Sequence, residues 1–385
     1  MKNYLLLSSA ILFLSSTQSI SAQDVNSGLD AASFYNEGVK LKTDRNTKGA
    51  LDKFKMAIAL KQDYTEALYE AGWCQNDLKD YEGAINSLRK ARPVWNYVPK
   101  LFFELGYAFE KTNQVDSAMQ AYNRCIELKP DYAGAYKQLG YLSYTREDYS
   151  TALQHFNKYE SNAKTEIKDY LFWYRKGYVL NVQNDYANSL AALRKSLDYK
   201  TDFSNTYLEL GFACKKLKLD DDAISYYKKA MELDPKSYIP YNGIGEVYRD
   251  NKKDMNEAMN WYQKSLAIKP EERKAHFGIG YCLNNQGKYN EAIGHLKKAV
   301  ESEPTYTAAY VELGYSHYMI EKYTEAIDYC NKAIELNPKN ENARYYKGLV
   351  YVSQKNKVLA QKSVDDLTAL SSKLAVTLKS KVDAL

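Results

Sequence analysis

The stretch Glu312–Cys330, ELGYSHYMIEKYTEAIDYC, reads as two helical segments around a short break, and it puts Gly314 inside the first of them. Glycine in a helix interior costs about 1 kcal/mol relative to alanine, so its place there needs a reason. The reason has to serve the whole chain. Gly38, Gly72, Gly106, Gly140, Gly177, Gly211, Gly245, Gly280, Gly314 and Gly348 succeed one another at intervals of 34, 34, 34, 37, 34, 34, 35, 34 and 34 residues. Such a period predicts stacked supersecondary repeats, not one closed core. A chain of 385 residues exceeds an ordinary single core, whereas an array grows one repeat at a time.

The spacing inside each repeat supplies the architecture. Twelve residues after the glycine stands a second small residue: Ala50, Ala84, Ala118, Ala152, Ser189, Ala223, Ala292, Ala326 and Ala360, with Ala258 one place late because of an inserted residue. Four residues further, most copies carry a bulky group such as Phe54, Tyr122, Phe156 or Tyr227. Apolar residues one turn before the glycine and directly before it complete a helical face on which the glycine itself lies. Two antiparallel helices approach closely only where small residues meet, so the glycine is expected to pack against the later alanine. Asp116, Ser150, Asp221, Asn256, Asn290 and Thr324 are the expected N-caps of second helices, and Pro130, Pro235, Pro270, Pro304 and Pro338 mark their ends.

These intervals resemble the tetratricopeptide (TPR) repeat family, whose W-x2-L-G-x2-Y, A-x3-F and P pattern they follow over about residues 31–372. The resemblance implies an all-α fold, a right-handed α-solenoid of about ten stacked helix-turn-helix repeats, with a concave groove that holds protein partners. The chain departs from the pattern at Glu37, Lys176 and Lys347, which replace the apolar residue before the glycine, and these repeats are expected to be less stable. A polar stretch at 160–169 carries the three-residue insertion and reads as a hinge or as a longer helix. Leu370, Leu374 and Leu378 predict a terminal capping helix within 373–385.

By that resemblance the residue directly after each repeat glycine faces the groove. It is aromatic in seven of ten copies: Trp73, Tyr107, Tyr141, Tyr178, Phe212, Tyr281 and Tyr315. Four residues earlier on the same face stand Tyr35, Tyr69, Phe103, Lys137, Tyr174, Leu208, Asn242, Phe277, Val311 and Tyr345. Two readings stay open, packing against the next repeat or anchoring a bound chain. Lys215, Lys216, Asn242, Glu246, Arg249 and Asp250 interrupt the stripe, either to hold a partner's carboxylate or backbone or as a solvated mixed-charge face. Lys100, Lys111, Lys137, Lys215 and Lys216, taken as exposed, favour a partner of acidic character. Some TPR domains clamp a C-terminal carboxylate with Asn directly after the glycine; no copy here has it, so that activity is not carried over.

Chemistry finds no foothold in the pattern. His155, His276, His295 and His317 form no HExxH, and no Cys-x2-Cys, phosphate-loop or GxSxG motif occurs, so no enzyme and no cofactor are expected. Gly243 and Gly278 stand beside repeat glycines and make no dinucleotide loop. The formal charge of +5 is spread without a basic block, which argues against nucleic acid. Lys2, the short apolar run from Tyr4 to Leu14 and the small residues Ser19, Ser21 and Ala22 read as a signal peptide over 1–22, the alternative being a buried or anchoring first helix. A polar linker is expected at 23–30, and the mature chain is expected in the periplasm or secreted, with no membrane span. The five cysteines, odd in number and far apart, read as buried packing residues rather than a disulfide frame. Two function classes follow: a protein-binding scaffold for envelope assembly or secretion, and a glycan-binding protein that uses tyrosines as stacking platforms.

Overall fold

The computed structural model describes residues 22–385, with side chains from Asp30 onward. The expected signal peptide falls, but for Ala22, outside the described residues. The described chain is helical and contains no strand. It divides into two compact units, one ending at Ile167 and the other running from Lys168 to Leu385.

The first unit stacks four helix pairs. These are α1 (Ala22–Thr43) with α2 (Thr47–Leu60), α3 (Thr65–Asp77) with α4 (Tyr81–Ala91), α5 (Pro99–Lys111) with α6 (Val115–Leu128), and α7 (Ala133–Thr145) with α8 (Tyr149–Asn162). The second unit begins with α9 (Tyr170–Val182) and α10 (Tyr186–Tyr199), then α11 (Ser204–Lys216) and α12 (Asp220–Leu233). It continues through α13 (Ile239–Glu246), a π-helical turn (Val247–Lys252) and α14 (Met255–Ile268). Next come α15 (Arg273–Asn285) with α16 (Tyr289–Ser302), and α17 (Thr307–Met319) with α18 (Tyr323–Leu336). The last are α19 (Glu341–Ser353), α20 (Lys357–Ala369) and α21 (Leu374–Asp383). Residues 23–30, expected as a linker, are part of α1, since extending a formed helix costs far less than nucleating one. The stretch at 160–169 is not a longer helix: α8 stops at Asn162 and α9 starts at Tyr170.

The periodic glycine makes room for a different partner from the one expected. A Cβ on Gly38, Gly72, Gly106, Gly140, Gly177, Gly211, Gly280 or Gly314 would fall 2.5 to 2.8 Å from the side chain sixteen residues later: Phe54, Leu88, Tyr122, Phe156, Leu193, Tyr227, Leu296 or Cys330. The recurring spacing to the small residue serves this indirectly. At Gly72, Gly280 and Gly314 the alanine twelve residues on offers only its carbonyl oxygen, at 3.3 to 3.4 Å. The small residues let the second helix come close, and the bulky residue then lies across the bare glycine. Gly348 meets Leu378 of α21 instead, which is fully buried there.

The helix ends correct a second expectation. Each pair reverses through one residue in the left-handed region: Arg45, Lys79, Asn113, Glu147, Asn184, Lys218, Lys253, Gly287, Glu321 and Lys355. The next residue is already the N-cap, and Asn46, Asp80, Asp148, Asp185, Asp254 and Asn356 cap with their side chains. Asp116, Ser150, Asp221, Asn256, Asn290 and Thr324 therefore stand two residues inside their helices, where carboxylates favour the positive end of the dipole. Each of the five prolines follows the C-cap of its helix, as the sequence predicts. The inserted residue of the seventh repeat is absorbed by the π turn, which holds one extra residue without breaking the pairing of α13 with α14.

Candidate functional site

The stripe of sequence aromatics is half-buried in every copy. Its contacts repeat at fixed offsets. Tyr107, Phe212 and Tyr315 each meet, edge to face, the tyrosine that opens the preceding second helix: Tyr81, Tyr186 and Tyr289. On the neighbouring register, Tyr35, Phe103, Tyr174 and Phe277 meet Tyr64, Phe103's partner Tyr132, Phe203 and Tyr306 in the following inter-repeat turn, at 5.1 to 5.2 Å. Trp73 lies under the Lys42 ammonium at 3.8 Å, and Tyr141 packs edge-on against Phe156. Packing thus uses part of each ring. The remaining exposure of these rings is what a bound chain could use.

In the second compact unit the stripe borders a groove of about 880 Å³. Tyr174 and Tyr178 of α9, Leu208 and Phe212 of α11, and Asn242 and Glu246 of α13 line it, so both registers of three successive repeats converge. Lys216 stands on the rim, exposed, with its ammonium 5.4 Å from the Phe212 ring centre. The far wall is the turn from Lys269 to Lys274, between α14 and α15. There Lys269 pairs with Glu272 at 3.0 Å and reaches the Tyr238 hydroxyl, and Arg273 pairs with Glu303. The groove is therefore aromatic and amide-rich on its floor and charged on its wall.

Two of the expected cationic contacts are corrected. Lys215, taken as exposed, is 7% exposed and forms an ion pair with Glu246. It occupies the helix position four after the glycine, which faces the next repeat; there Gly243 leaves no side chain to meet, and Lys215 reaches on to Glu246. Arg249 is also enclosed. Its guanidinium donates to both carboxylate oxygens of Asp250, at 2.6 and 2.9 Å, and lies 5.5 to 5.9 Å from the ring centres of Tyr262, Phe277 and Tyr281. Burial works against its charge, but the bond to Asp250 and the nearby Tyr262, Asp250 and Glu246 together outweigh this and keep it protonated. Tyr281 is covered on one side by this arginine, and Tyr315 by Tyr346 at 5.0 Å.

Sequence reasoning missed a set of clips between repeats. Asn76, Asn181 and Asn284, four after the glycine, each donate to the carbonyl and carboxylate of a glutamate 28 residues on: Glu104, Glu209 and Glu312. Burial raises all three carboxyls above their ordinary range, against the amide bond that lowers them. Aligning the repeats would have shown the Asn and Glu at matching positions. In the third clip Ser316 also donates to the Asn284 Oδ1, at 2.7 Å. The residues equivalent to Ser316 are Ala108 and Ala213, and Asn76 Oδ1 and Asn181 Oδ1 are buried without a partner. Ala213→Ser is therefore expected to stabilise the second unit by about 1 kcal/mol, read as a higher urea midpoint. An unchanged midpoint would mean that the unmet carbonyl costs nothing, and a lower one that the buried site of Ala213 has no room for the hydroxyl.

All five cysteines are free and buried; burial pushes the Cys214 thiol up to about 11 and the other four to about 12. Among the described residues no helix is long and apolar enough to cross a membrane.

Residues 66–92, 99–132, 204–237, 240–272, 274–306 and 307–340, together half of the chain, match the tetratricopeptide repeat. The chain belongs to the tetratricopeptide repeat family. Among curated proteins it is similar to anaphase-promoting complex subunit 3 of Schizosaccharomyces pombe, 22% identical over 69% of this chain and 44% of that protein. It is also similar to anaphase-promoting complex subunit 6 of Arabidopsis thaliana, 26% identical over 51% of this chain and 37% of that protein. The chain thus spans less than half the length of these relatives. Of solved structures, the APC/C hetero-tetramer Cut9-Hcn1 covers 94% of this chain and 97% of its own, with a TM-score of 0.52 at 14% identity. A tetratricopeptide repeat protein from Parabacteroides merdae covers 65% and 97%, with a TM-score of 0.51 at 14% identity. At these identities the likeness speaks for the fold. TPR proteins generally mediate protein–protein interactions, and the TPR scaffold is typically non-enzymatic.

Proposed function

We propose that this TPR protein is a non-enzymatic scaffold that holds an extended segment of a protein partner in the groove of its second compact unit. The observation that carries the reading is the convergence of Tyr174, Tyr178, Leu208 and Phe212 on one groove of about 880 Å³, each half-buried where a structural core residue would be covered. Aromatic anchors in a concave site are the usual energetic centre of an interface, and main-chain groups of an extended segment suit the amides beside them. With Lys215 withdrawn, Lys216 on the rim and Lys274 on the wall remain as exposed cations that favour acidic side chains. Export to the envelope belongs to the same reading and rests on the leader pattern of residues 1–22.

A photo-crosslinking residue at Asn205, which lines the groove, tests this in the native host. The expected product joins the chain to a protein segment, while the same residue at Lys228 on α12, outside the groove, gives none. Attachment to polysaccharide alone would replace the reading with glycan binding, which the amides and carboxylates beside Tyr174 and Tyr178 would suit. The same purified chain gives its mature N-terminus by mass spectrometry: a start near Gln23 is expected, and a retained Met1 would remove export.

A further inference from the structure

The groove's far wall is tied down by an ionisable pair. His276, at the first turn of α15, is 4% exposed; its Nε2 lies 2.9 Å from the Pro270 carbonyl and its Nδ1 lies 3.1 Å from Nδ1 of His295 on α16. A carbonyl only accepts, so Nε2 carries a proton, and in the neutral ring Nδ1 must accept the proton of His295. Pro270 directly precedes Glu271, Glu272, Arg273 and Lys274, all of which line the groove. Three other repeats fill these positions with Tyr207–Tyr226, Tyr241–Trp261 and Tyr310–Tyr329, contacts that do not titrate near neutrality.

We propose that the His276–His295 pair is a proton-operated latch that holds the Lys269–Lys274 wall of the groove closed when neutral and releases it in acid. The proposal rests on the groove reading for its consequence, release of a bound segment, but its mechanism is independent of any partner. A first added proton goes to the bare Nε2 of His295 and leaves one proton between the two Nδ1 atoms, so the contact survives it. A second leaves two N–H groups facing each other in a buried site, and the bond is lost.

The surroundings set the direction. Burial holds both imidazoles below the usual histidine range; the His276 charge adds to this at His295 and Lys298 adds to it at both, while the bond to the Pro270 carbonyl with Glu271 and Glu272 opposes it at His276, and Glu291 at His295. From the other elements packed on α15, Lys269 at the end of α14 pairs with Glu272, Arg249 of the π turn lies at Phe277 and Tyr281, and Glu312 of α17 is bonded to Asn284 at the far end. With the pKa depressed in the closed state, opening takes up protons. The latch is at full strength above the ordinary imidazole pKa of about 6.5 and weakens as pH falls below it.

Hydrogen exchange of the full-length mature chain tests this, with rates corrected for intrinsic pH dependence. Between about pH 7.5 and about pH 5.5 the amides of Glu272 and His276 are expected to lose protection about tenfold relative to Tyr306 and Ala309, the equivalent turn beside Tyr310–Tyr329. His276→Tyr with His295→Tyr, which copies that neighbouring pair, should abolish the difference. His295→Gln, which keeps a donor to Nδ1, should suppress it if the tyrosine pair does not fold. Acid-independent protection in the wild type, or acid opening retained in the folded variants, overturns the latch. Acid opening in a chain that crosslinks to nothing supports the latch and sinks only the groove reading; crosslinking that is equal at both pH values despite opening overturns the coupling between them.

Discussion

Gly140→Leu is expected to destabilise the first compact unit by about 3 kcal/mol or more, seen as a large fall in its urea midpoint. A Cβ alone at this position comes 2.5 Å from Cδ1 and Cε1 of Phe156, a fully buried ring that itself packs against Tyr141. Leucine would regain about 1 kcal/mol of helix propensity. Overpacking a core commonly costs about 1 to 3 kcal/mol, and here the first atom of the side chain already collides, so the ring and the helix α8 must both move. Gly294 supplies the opposite sign. It lies in α16 with nothing within 4 Å of its Cβ, so Gly294→Ala should stabilise by about 1 kcal/mol. A neutral Gly140→Leu would leave the period of the glycines without a physical cause.

The period was legible because packing between antiparallel helices is local, and the residues that permit it recur in the chain at the distance set by the repeat. What the glycine touches was less legible. Spacing alone cannot distinguish the small residue that lets α8 approach from Phe156, which crosses the gap once it has done so. The N-caps were misplaced by two residues for a similar reason: a reversal through a single left-handed residue such as Glu147 is shorter than Ser150 implies, and any polar residue near a helix start looks like a cap. Inter-repeat pairing was hidden more deeply. Lys42–Glu70, Asn76–Glu104 and Asn181–Glu209 share one geometric relation, but its chemistry changes from ion pair to amide clip along the chain. Where Gly243 removes the acceptor, Lys215 finds Glu246 instead. A lysine read from its helical face as exposed was in fact the donor of that relation.

Tyr178→Ala with Phe212→Ala is expected to abolish capture of the partner segment while the chain keeps its helical content. Both rings line the groove of the second unit and are half-buried, and Phe212 meets Tyr186 only edge to face, at 6.1 Å. Truncating an aromatic anchor near the centre of an interface commonly costs about 2 kcal/mol or more, a factor of roughly 30, and two such losses would take binding beyond detection. The structural cost is smaller, since neither ring fills the inter-helix core that Leu193 and Tyr227 occupy without exposure or nearly so. Lys216→Ala should act differently. Its ammonium stands on the exposed rim, so its loss should slow association mainly at low salt and leave dissociation almost unchanged. Circular dichroism, urea denaturation and binding kinetics with the segment identified by crosslinking separate these effects. If the double variant unfolds while single, folded variants bind normally, the aromatic stripe serves packing between repeats and the partner sits elsewhere.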